Sequence, residues 1–383
     1  MEIETKIESS ESYNDSKLDC LKLKRVFSEN HESNINQMCQ NTCSEKYRHL
    51  FATVGANQVN IYDNKGMENN LNLCFNFYLE QSEFSMGGEV CCCTWLKGDD
   101  DALLAIGTTK GEIHILSLRN TQVITILIPQ VREEIVSLYK CDTHDNLLVA
   151  LSRQGNATIW DYQRKSMVYE LCGKSIRNLV VMTKDDVPCF LFIGVKSSYQ
   201  ILLPSTEFLV TLDIEAIPVD FSFIKSSDIY WLEWNSKYNR LVILSDSYHL
   251  YIVDYNNQDA RVEIIIPSSI NRARNLVGFT ITQDQEHILV GGSDKYCIVN
   301  MKGKIINTIP CLLVKRKDFI SAFIDNDFDY LVSCFGITMF RYNYINPKTK
   351  YVTRIRHAYP VEDLLLFYEN YDATPKVVLE PKD

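Results

Sequence analysis

The sequence predicts an all-β fold, a seven-bladed β-propeller built from WD-type repeats. Apolar strands recur at an even spacing, and each is followed by a short polar or Gly-containing turn and a second apolar strand. The first strands of the seven copies begin at Phe51, Leu103, Leu147, Phe190, Leu241, Ile288 and Leu331. Separations of about 43 to 52 residues are typical of propeller blades with four strands each.

The length and composition are compatible with one large domain. The chain has 383 residues, of which 46% are hydrophobic and 11% aromatic. Seven blades of about 45 residues would account for most of that length. We expect residues 1–18 to form a disordered acidic tail, residues 19–357 to form the propeller, and residues 358–383 to form a C-terminal strap and tail.

An N-terminal strand is expected to complete the last blade. Residues 21–27 (LKLKRVF) alternate between apolar and polar side chains, which is typical of a half-exposed strand. In a propeller such a strand closes the ring and removes an exposed sheet edge. We expect it to pair with residues 351–356 (YVTRIR).

The repeats are degenerate. The clearest copies are residues 103–118 (LLAIGTTKGEIHILSL) and 147–162 (LLVALSRQGNATIWDY), and no Gly-His dipeptide occurs. The one WD dipeptide and its two weaker echoes are Trp160-Asp161, Tyr62-Asp63 and Val253-Asp254. The sequence therefore predicts that the sheets pack mainly through apolar side chains.

The charge balance disfavours nucleic acid as a direct partner. Lys and Arg total 39 against 49 for Asp and Glu, which gives a net charge of −10. A basic surface for the phosphate backbone is not expected from this balance. Residues 1–16 are acidic and polar, and no apolar run reaches the ~18 residues of a membrane span. We expect an intracellular protein with no membrane partner.

The sequence contains no pattern for an enzyme, a metal or a cofactor. Neither H-E-x-x-H nor G-x-S-x-G occurs, and a G-K-S segment at residues 173–175 has Val168 where a phosphate-binding loop needs Gly. Cys91, Cys92 and Cys93 would alternate between the faces of a strand, so they cannot share one metal ion. We expect the 13 cysteines to be reduced and those of this triplet to pack in the core.

One aromatic cluster is compatible with two interpretations. Tyr230, Trp231, Trp234 and Tyr238 lie within nine residues, just before the fifth repeat's first strand. They could pack between blades, or they could bind a methylated ammonium through cation-π attraction. Alternation puts Tyr230 and Trp231 on opposite faces, so both can reach one ligand only at a bend.

Several segments are similar to a known family. Residues 51–62 (FATVGANQVNIY), Cys93-Thr94-Trp95 and residues 103–118 resemble the first two blades of the EED / Extra sex combs family, the WD-repeat subunit of Polycomb repressive complex 2. Residues 228–255 resemble a later blade, including its adjacent aromatic pair. A family of origin-associated leucine-rich-repeat/WD proteins has a similar propeller, but no leucine-rich repeats occur here.

The resemblance implies a nuclear, non-catalytic scaffold involved in transcription repression. It would hold a histone methyltransferase subunit on one face and bind trimethyl-lysine of the histone H3 tail in an aromatic cage on the other. The cage pair falls on Tyr230 and Trp231, a third position on Cys91, and a fourth near Ile35 or Asn36. Each missing aromatic wall would cost about 1 to 2 kcal/mol, so the resemblance implies a weak or degenerate reader. The alternative is a generic WD-repeat adaptor in another chromatin or origin-associated complex.

Overall fold

The structure is a computed structural model of an all-β chain with a β-propeller arrangement of four-stranded antiparallel sheets. It describes residues 15, 17–28, 31, 34–66, 71–81, 85–141, 146–173, 175–184, 187–194, 198–202, 217–219, 221, 224, 229–245, 249–255, 257, 261–266, 279–291, 295–310, 319–324, 330–335 and 338–344. Two short 3-10 turns, Glu45–Tyr47 and Asn64–Gly66, lie among its strands. The predicted strap at residues 358–383 falls outside the described residues.

The strands are numbered in chain order. They are β1 (Leu21–Ser28), β2 (Gln37–Gln40), β3 (Leu50–Gly55), β4 (Gln58–Asp63), β5 (Asn72–Tyr78), β6 (Val90–Lys97), β7 (Ala102–Thr108), β8 (Ile113–Ser117), β9 (Gln122–Leu127), β10 (Ile135–Lys140), β11 (Leu147–Ser152), β12 (Ala157–Asp161), β13 (Ser166–Leu171), β14 (Ile176–Lys184), β15 (Val187–Gly194), β16 (Ser198–Leu202), β17 (Ile217–Val219), β18 (Ile229–Asn235), β19 (Arg240–Ser245), β20 (His249–Asp254), β21 (Arg261–Ile265), β22 (Phe279–Ile281), β23 (His287–Gly291), β24 (Lys295–Asn300), β25 (Ile305–Pro310), β26 (Phe319–Ile324), β27 (Tyr330–Phe335) and β28 (Thr338–Tyr344).

The predicted strand–turn–strand copies are all present. Each forms the central two strands of a four-stranded sheet, and they are β3–β4, β7–β8, β11–β12, β15–β16, β19–β20, β23–β24 and β27–β28. The WD dipeptide ends β12, where the Asp161 carboxylate accepts hydrogen bonds from Asn146 Nδ2 at 2.7 Å and the Arg164 amide at 2.8 Å. The even spacing in the sequence is therefore a repeat of one sheet design.

Residues 31–265 form one compact unit of five sheets, β2–β5, β6–β9, β10–β13, β14–β17 and β18–β21. The first strands are neighbours along the unit, with β2 against β6, β6 against β10, β10 against β14, and β14 against β18. Each pair of consecutive sheets shares an apolar cluster, represented by Ile61 with Leu104, Ala105 with Leu148, Leu151 with Leu179, and Leu191 with Ile243. The prediction that the sheets pack through apolar side chains is confirmed in this unit.

Residues 1–30 and 266–383 form the second compact unit, whose described sheets are β22–β25 and β26–β27–β28–β1. β1 pairs antiparallel with β28, from Leu21 opposite Tyr344 to Ser28 opposite Thr338. The prediction that the N-terminal strand completes the last sheet is confirmed, but the predicted partner, residues 351–356, is wrong. β26, β27 and β28 supply three strands, and the open edge of β28 is where β1 adds the fourth.

Three residues of the predicted N-terminal tail, Asp15, Lys17 and Leu18, belong to this second unit. Leu18 is fully buried in the cluster of the last two sheets, and its carbonyl accepts a hydrogen bond from Asn307 Nδ2 at 2.8 Å. Asp15 Oδ1 lies 2.9 Å from His287 Nε2. Burial opposes the charged imidazole, but the carboxylates of Asp284, 3.7 Å from Nδ1, and of Asp15 outweigh it and raise the pKa of His287. The segment before β1 is thus tied to β23 by a charged contact.

Candidate functional site

A shared irregularity marks the beginning of four consecutive first strands. β6, β10, β14 and β18 each carry a register shift that leaves one residue without a partner in the ladder, and these residues are Cys91, Val136, Arg177 and Tyr230. Such a bulge bends the strand and changes the direction of nearby side chains. Cys91 and Tyr230, both predicted as cage positions, therefore occupy equivalent places in their sheets.

The carbonyl just before three of these bulges accepts a hydrogen bond from the preceding sheet. The pairs are Asn36 Nδ2 to Val90 O at 2.8 Å, Cys92 Sγ to Ile135 O at 3.5 Å, and Asn178 Nδ2 to Ile229 O at 2.9 Å. Each hydrogen bond links the beginning of one sheet's first strand to the beginning of the next sheet's first strand. The bulges are thus held in place by side chains of neighbouring sheets as well as by their own ladders.

Trp231 presents an exposed indole at the β18 bulge. Its side chain is 43% exposed, and Nε1 donates a hydrogen bond to Glu233 Oε1 at 3.0 Å. The backbone of Tyr230 belongs to β18 as the extra residue of the bulge. A bulge, which bends a strand, is thus present at this aromatic pair.

The remaining aromatic residues of the cluster have a different role. Trp234 packs edge-on against Tyr255, with ring centroids 5.9 Å apart and planes at 88°, beside the apolar cluster of its sheet. Tyr238 lies in the turn after β18, where its amide donates to Asn235 Oδ1 at 3.1 Å. Packing thus explains Trp234, whereas Trp231 is available to a ligand.

Cys91 supplies no aromatic wall. It is half-buried, and its Sγ lies 3.7 Å from Glu134 Oε1, while Glu134 is held in an ion pair by both Arg153 nitrogens Nε and Nη2. Burial, together with the Glu134 charge, raises the pKa of Cys91 to about 12, so the thiol is neutral. Cys92 and Cys93 are buried in apolar clusters on opposite faces of β6, as predicted.

The fourth predicted cage position is also without an aromatic side chain. Ile35 is 1% exposed and belongs to the core, whereas Asn36 is exposed and contacts the residue before Cys91 through its amide. The structure thus brings Asn36 close to Cys91. Trp231 belongs to β18, and β10 and β14 lie between β6 and β18 in the row of first strands.

A buried carboxylate that the sequence analysis missed holds the segment leading into β6. Glu112 is 1% exposed at its side chain. Its oxygens accept hydrogen bonds from Ser85 Oγ at 2.9 Å, the Met86 amide at 3.0 and 3.2 Å, His114 Nε2 at 3.1 Å and Arg132 Nη1 at 3.3 Å. Burial would raise the pKa of Glu112, but these hydrogen bonds lower it, whereas burial lowers the pKa of His114. The neutral imidazole of His114 therefore donates a hydrogen bond to the carboxylate of Glu112.

The sequence contained a signal for this pair. Glu112 and His114 are two residues apart in an otherwise apolar hairpin, so alternation places both side chains on one face. The turn before them needs Gly111, whose φ is +75° and whose Cβ, if present, would lie 2.6 Å from the Glu133 amide. The hairpin turn thus packs directly on the strand leading into the next sheet.

A cavity of about 680 Å³ lies at the other end of β6. Its apolar wall includes Leu50, Phe75 and Leu118, and Tyr47 at its edge donates a hydrogen bond to the Asp100 carbonyl at 3.2 Å. The run of β6 from Cys91 to its end is roughly 20 Å at strand rise. The unit of residues 31–265 therefore has the Cys91 bulge at one end of β6 and this cavity at the other end.

No protein-family model matches the sequence, and no curated protein matches it. Within the described ranges, no helix is long and apolar enough to cross a membrane. The described side chains likewise include no group of three or more His, Cys, Asp or Glu placed to hold a metal ion.

Proposed function

We propose that this chain is a non-catalytic WD-repeat scaffold of a Polycomb-type histone methyltransferase complex in the nucleus. In this proposal its seven sheets are seven blades of one closed ring. The sheet design, the pairing of β1 with β28 and the resemblance of four segments to the EED / Extra sex combs family support it. A closed propeller removes exposed sheet edges and leaves its two faces for partners.

The observation that carries the proposal is the exposed Trp231 at the β18 bulge. An open indole face attracts a methylated ammonium through cation-π forces. Trp231 directly follows Tyr230, which occupies the same place in its sheet as Cys91. We assign to this end of the first strands a degenerate site for a methylated lysine of the histone H3 tail, weakened because Cys91 and Asn36 are not aromatic.

In this proposal, the methyltransferase subunit binds at the end of β6 that lies away from Cys91. The apolar residues Leu50, Phe75 and Leu118 line the cavity there, together with Asp100 and Tyr47. A partner segment with an apolar anchor residue fits such a surface better than a small ligand does, because the cavity is open to solvent and has both apolar and charged lining residues.

Purification of the tagged full-length chain from nuclei tests the scaffold role. We expect a histone methyltransferase subunit to copurify, together with methyltransferase activity on nucleosomes, whereas the purified chain alone has none. Tyr47→Ala should reduce recovery of that activity, and Trp231→Ala should leave it unchanged. Recovery of other chromatin or origin proteins without methyltransferase activity would favour the generic adaptor. Hydrolase or transferase activity from the chain alone would contradict a non-catalytic role.

A further inference from the structure

We propose that Cys39 and Cys93 form an oxidation site, at which a hydroperoxide joins the sheets β2–β5 and β6–β9 by a disulfide bond. The inference is independent of the proposed scaffold role. It is carried by the position of the two sulfurs and by hydrogen bonds that hold their strands together. The prediction of reduced cysteines from the sequence did not consider this pair.

The two sulfurs face each other between neighbouring first strands. Cys39 lies on β2 and Cys93 on β6, and these two strands contact each other. Their Sγ atoms are 3.1 Å apart, and neither cysteine takes part in a disulfide. A disulfide bond is about 2.05 Å long, so the sulfurs must approach by only about 1 Å. Such an approach calls for a side-chain adjustment and not for a rearrangement of the strands.

Two hydrogen bonds hold the backbone of both cysteines across the boundary between the sheets. The Cys93 amide donates to Gln37 Oε1 at 2.7 Å, and Trp95 Nε1 donates to the Cys39 carbonyl at 3.1 Å. Gln37 and Trp95 are each two residues from the cysteine of their own strand. The strands are therefore fixed beside the pair, and two groups held in this way react as an intramolecular couple.

The two thiols differ in their access to an oxidant. Cys39 is partly exposed, whereas Cys93 is 1% exposed. Burial and the neighbouring Cys39 raise the pKa of Cys93 well above its usual value, so the Cys93 thiol keeps its proton. A small hydroperoxide therefore meets Cys39 first, and Cys93 reacts second, with the sulfur that already lies beside it.

The reaction has two steps, and the hydroperoxide is the oxidant. The Cys39 sulfur attacks the O–O bond of hydrogen peroxide, which breaks to leave a sulfenic acid on Cys39 and one water. The Cys93 sulfur then bonds to the Cys39 sulfur, the S–O bond breaks, and the Cys93 proton leaves with the hydroxyl as a second water. The two thiols lose two electrons in total, and these reduce the peroxide. Exchange with a thiol reductant reverses the bond.

The disulfide bond changes stability and leaves the fold as it is. Cys39 and Cys93 are 54 positions apart in the chain. A cross-link over so long a segment restricts the unfolded chain and thereby stabilises the folded state. Reversible oxidation at this site therefore makes the unit of residues 31–265 more resistant to unfolding.

Oxidation of the folded full-length protein by hydrogen peroxide tests the inference. Free thiols are then blocked with N-ethylmaleimide, and the protein is digested without reductant and analysed by mass spectrometry. We expect a peptide pair linked through Cys39 and Cys93, which dithiothreitol separates. Cys39→Ser should abolish the link, whereas Cys92→Ser, on the opposite face of β6, should leave it unchanged. Oxidation should raise the urea midpoint of the unmodified protein by about 0.5 to 1 M and leave that of Cys39→Ser unchanged.

Three results would overturn the inference. A bond from Cys39 to another cysteine, such as Cys43, would mean that Cys93 is not its reacting partner. An equal yield of the Cys39–Cys93 link from protein oxidised in urea would mean that the folded geometry does not direct the bond. An unlinked pair in protein whose exposed Cys74 is already oxidised would mean that the site does not react. Circular dichroism of Cys39→Ser and Cys92→Ser before oxidation checks that both variants are folded.

Discussion

Replacing Glu112 with alanine is expected to lower the free energy of unfolding by about 2 to 4 kcal/mol. The carboxylate is buried and accepts hydrogen bonds from Ser85, the Met86 amide and His114. Its loss leaves the buried donors Ser85 and His114 without this acceptor, and each costs about 1 to 3 kcal/mol when unsatisfied. Urea denaturation followed by tryptophan fluorescence measures the change.

Two variants control this experiment. Glu112→Gln keeps one acceptor oxygen and should lose less stability than Glu112→Ala. Glu80→Ala replaces an exposed carboxylate before the same segment and should change the free energy of unfolding by less than about 0.5 kcal/mol. A Glu112→Ala protein as stable as the Glu80→Ala protein would show that the hydrogen bonds of Glu112 do not hold the segment leading into β6.

Restoring an aromatic wall should strengthen peptide binding. Cys91→Tyr is expected to increase affinity for a methylated H3 peptide about tenfold, because one aromatic wall contributes about 1 to 2 kcal/mol of cation-π attraction. Cys91 occupies the same bulge position in β6 as Tyr230 does in β18. Titration of the unmodified protein and of Cys91→Tyr with a methylated H3 tail peptide measures the gain in affinity.

Val136→Tyr is the matched control for Cys91→Tyr. Val136 is the bulge residue of the next sheet, so the substitution places the same side chain in the same backbone setting. The family resemblance assigns no cage position there, and we expect its affinity to stay within about twofold of the unmodified protein. An equal gain at both positions would mean that the aromatic ring acts nonspecifically, and no gain at Cys91 would argue against its assignment to the cage.

The sequence was sufficient for the repeated hairpins but not for all of their pairings. Regular apolar alternation located the central strands of each sheet and correctly separated Cys92 from Cys93. It did not identify β28 as the partner of β1, because the edge that β1 fills depends on how many strands precede it in the last sheet. The number of strands in a sheet is a property of the tertiary structure, and no local sequence pattern indicates it.

The sequence identified the aromatic residues of the candidate site, but it did not show which of them are exposed and which pack in the core. Trp231 and Trp234 have similar surroundings in the sequence, yet one is exposed and the other packs on Tyr255. Alternation puts these two residues on opposite faces of β18, but the sequence does not indicate which of the two faces is covered by a neighbouring sheet. Trp231 and Glu233 share the other face by the same alternation, but their hydrogen bond depends on side-chain conformations that the sequence does not determine.

The most direct test of the methyl-lysine site compares the unmodified protein with Trp231→Ala in titrations against methylated and unmethylated H3 tail peptides. Ile265→Ala is the control, because Ile265 is an exposed apolar residue on the outer strand of the same sheet. We predict selective binding of methylated peptide, at least about a tenfold loss in Trp231→Ala and no change in Ile265→Ala. Equal binding by the unmodified protein and Trp231→Ala, or no selectivity for methylated peptide, would contradict the account.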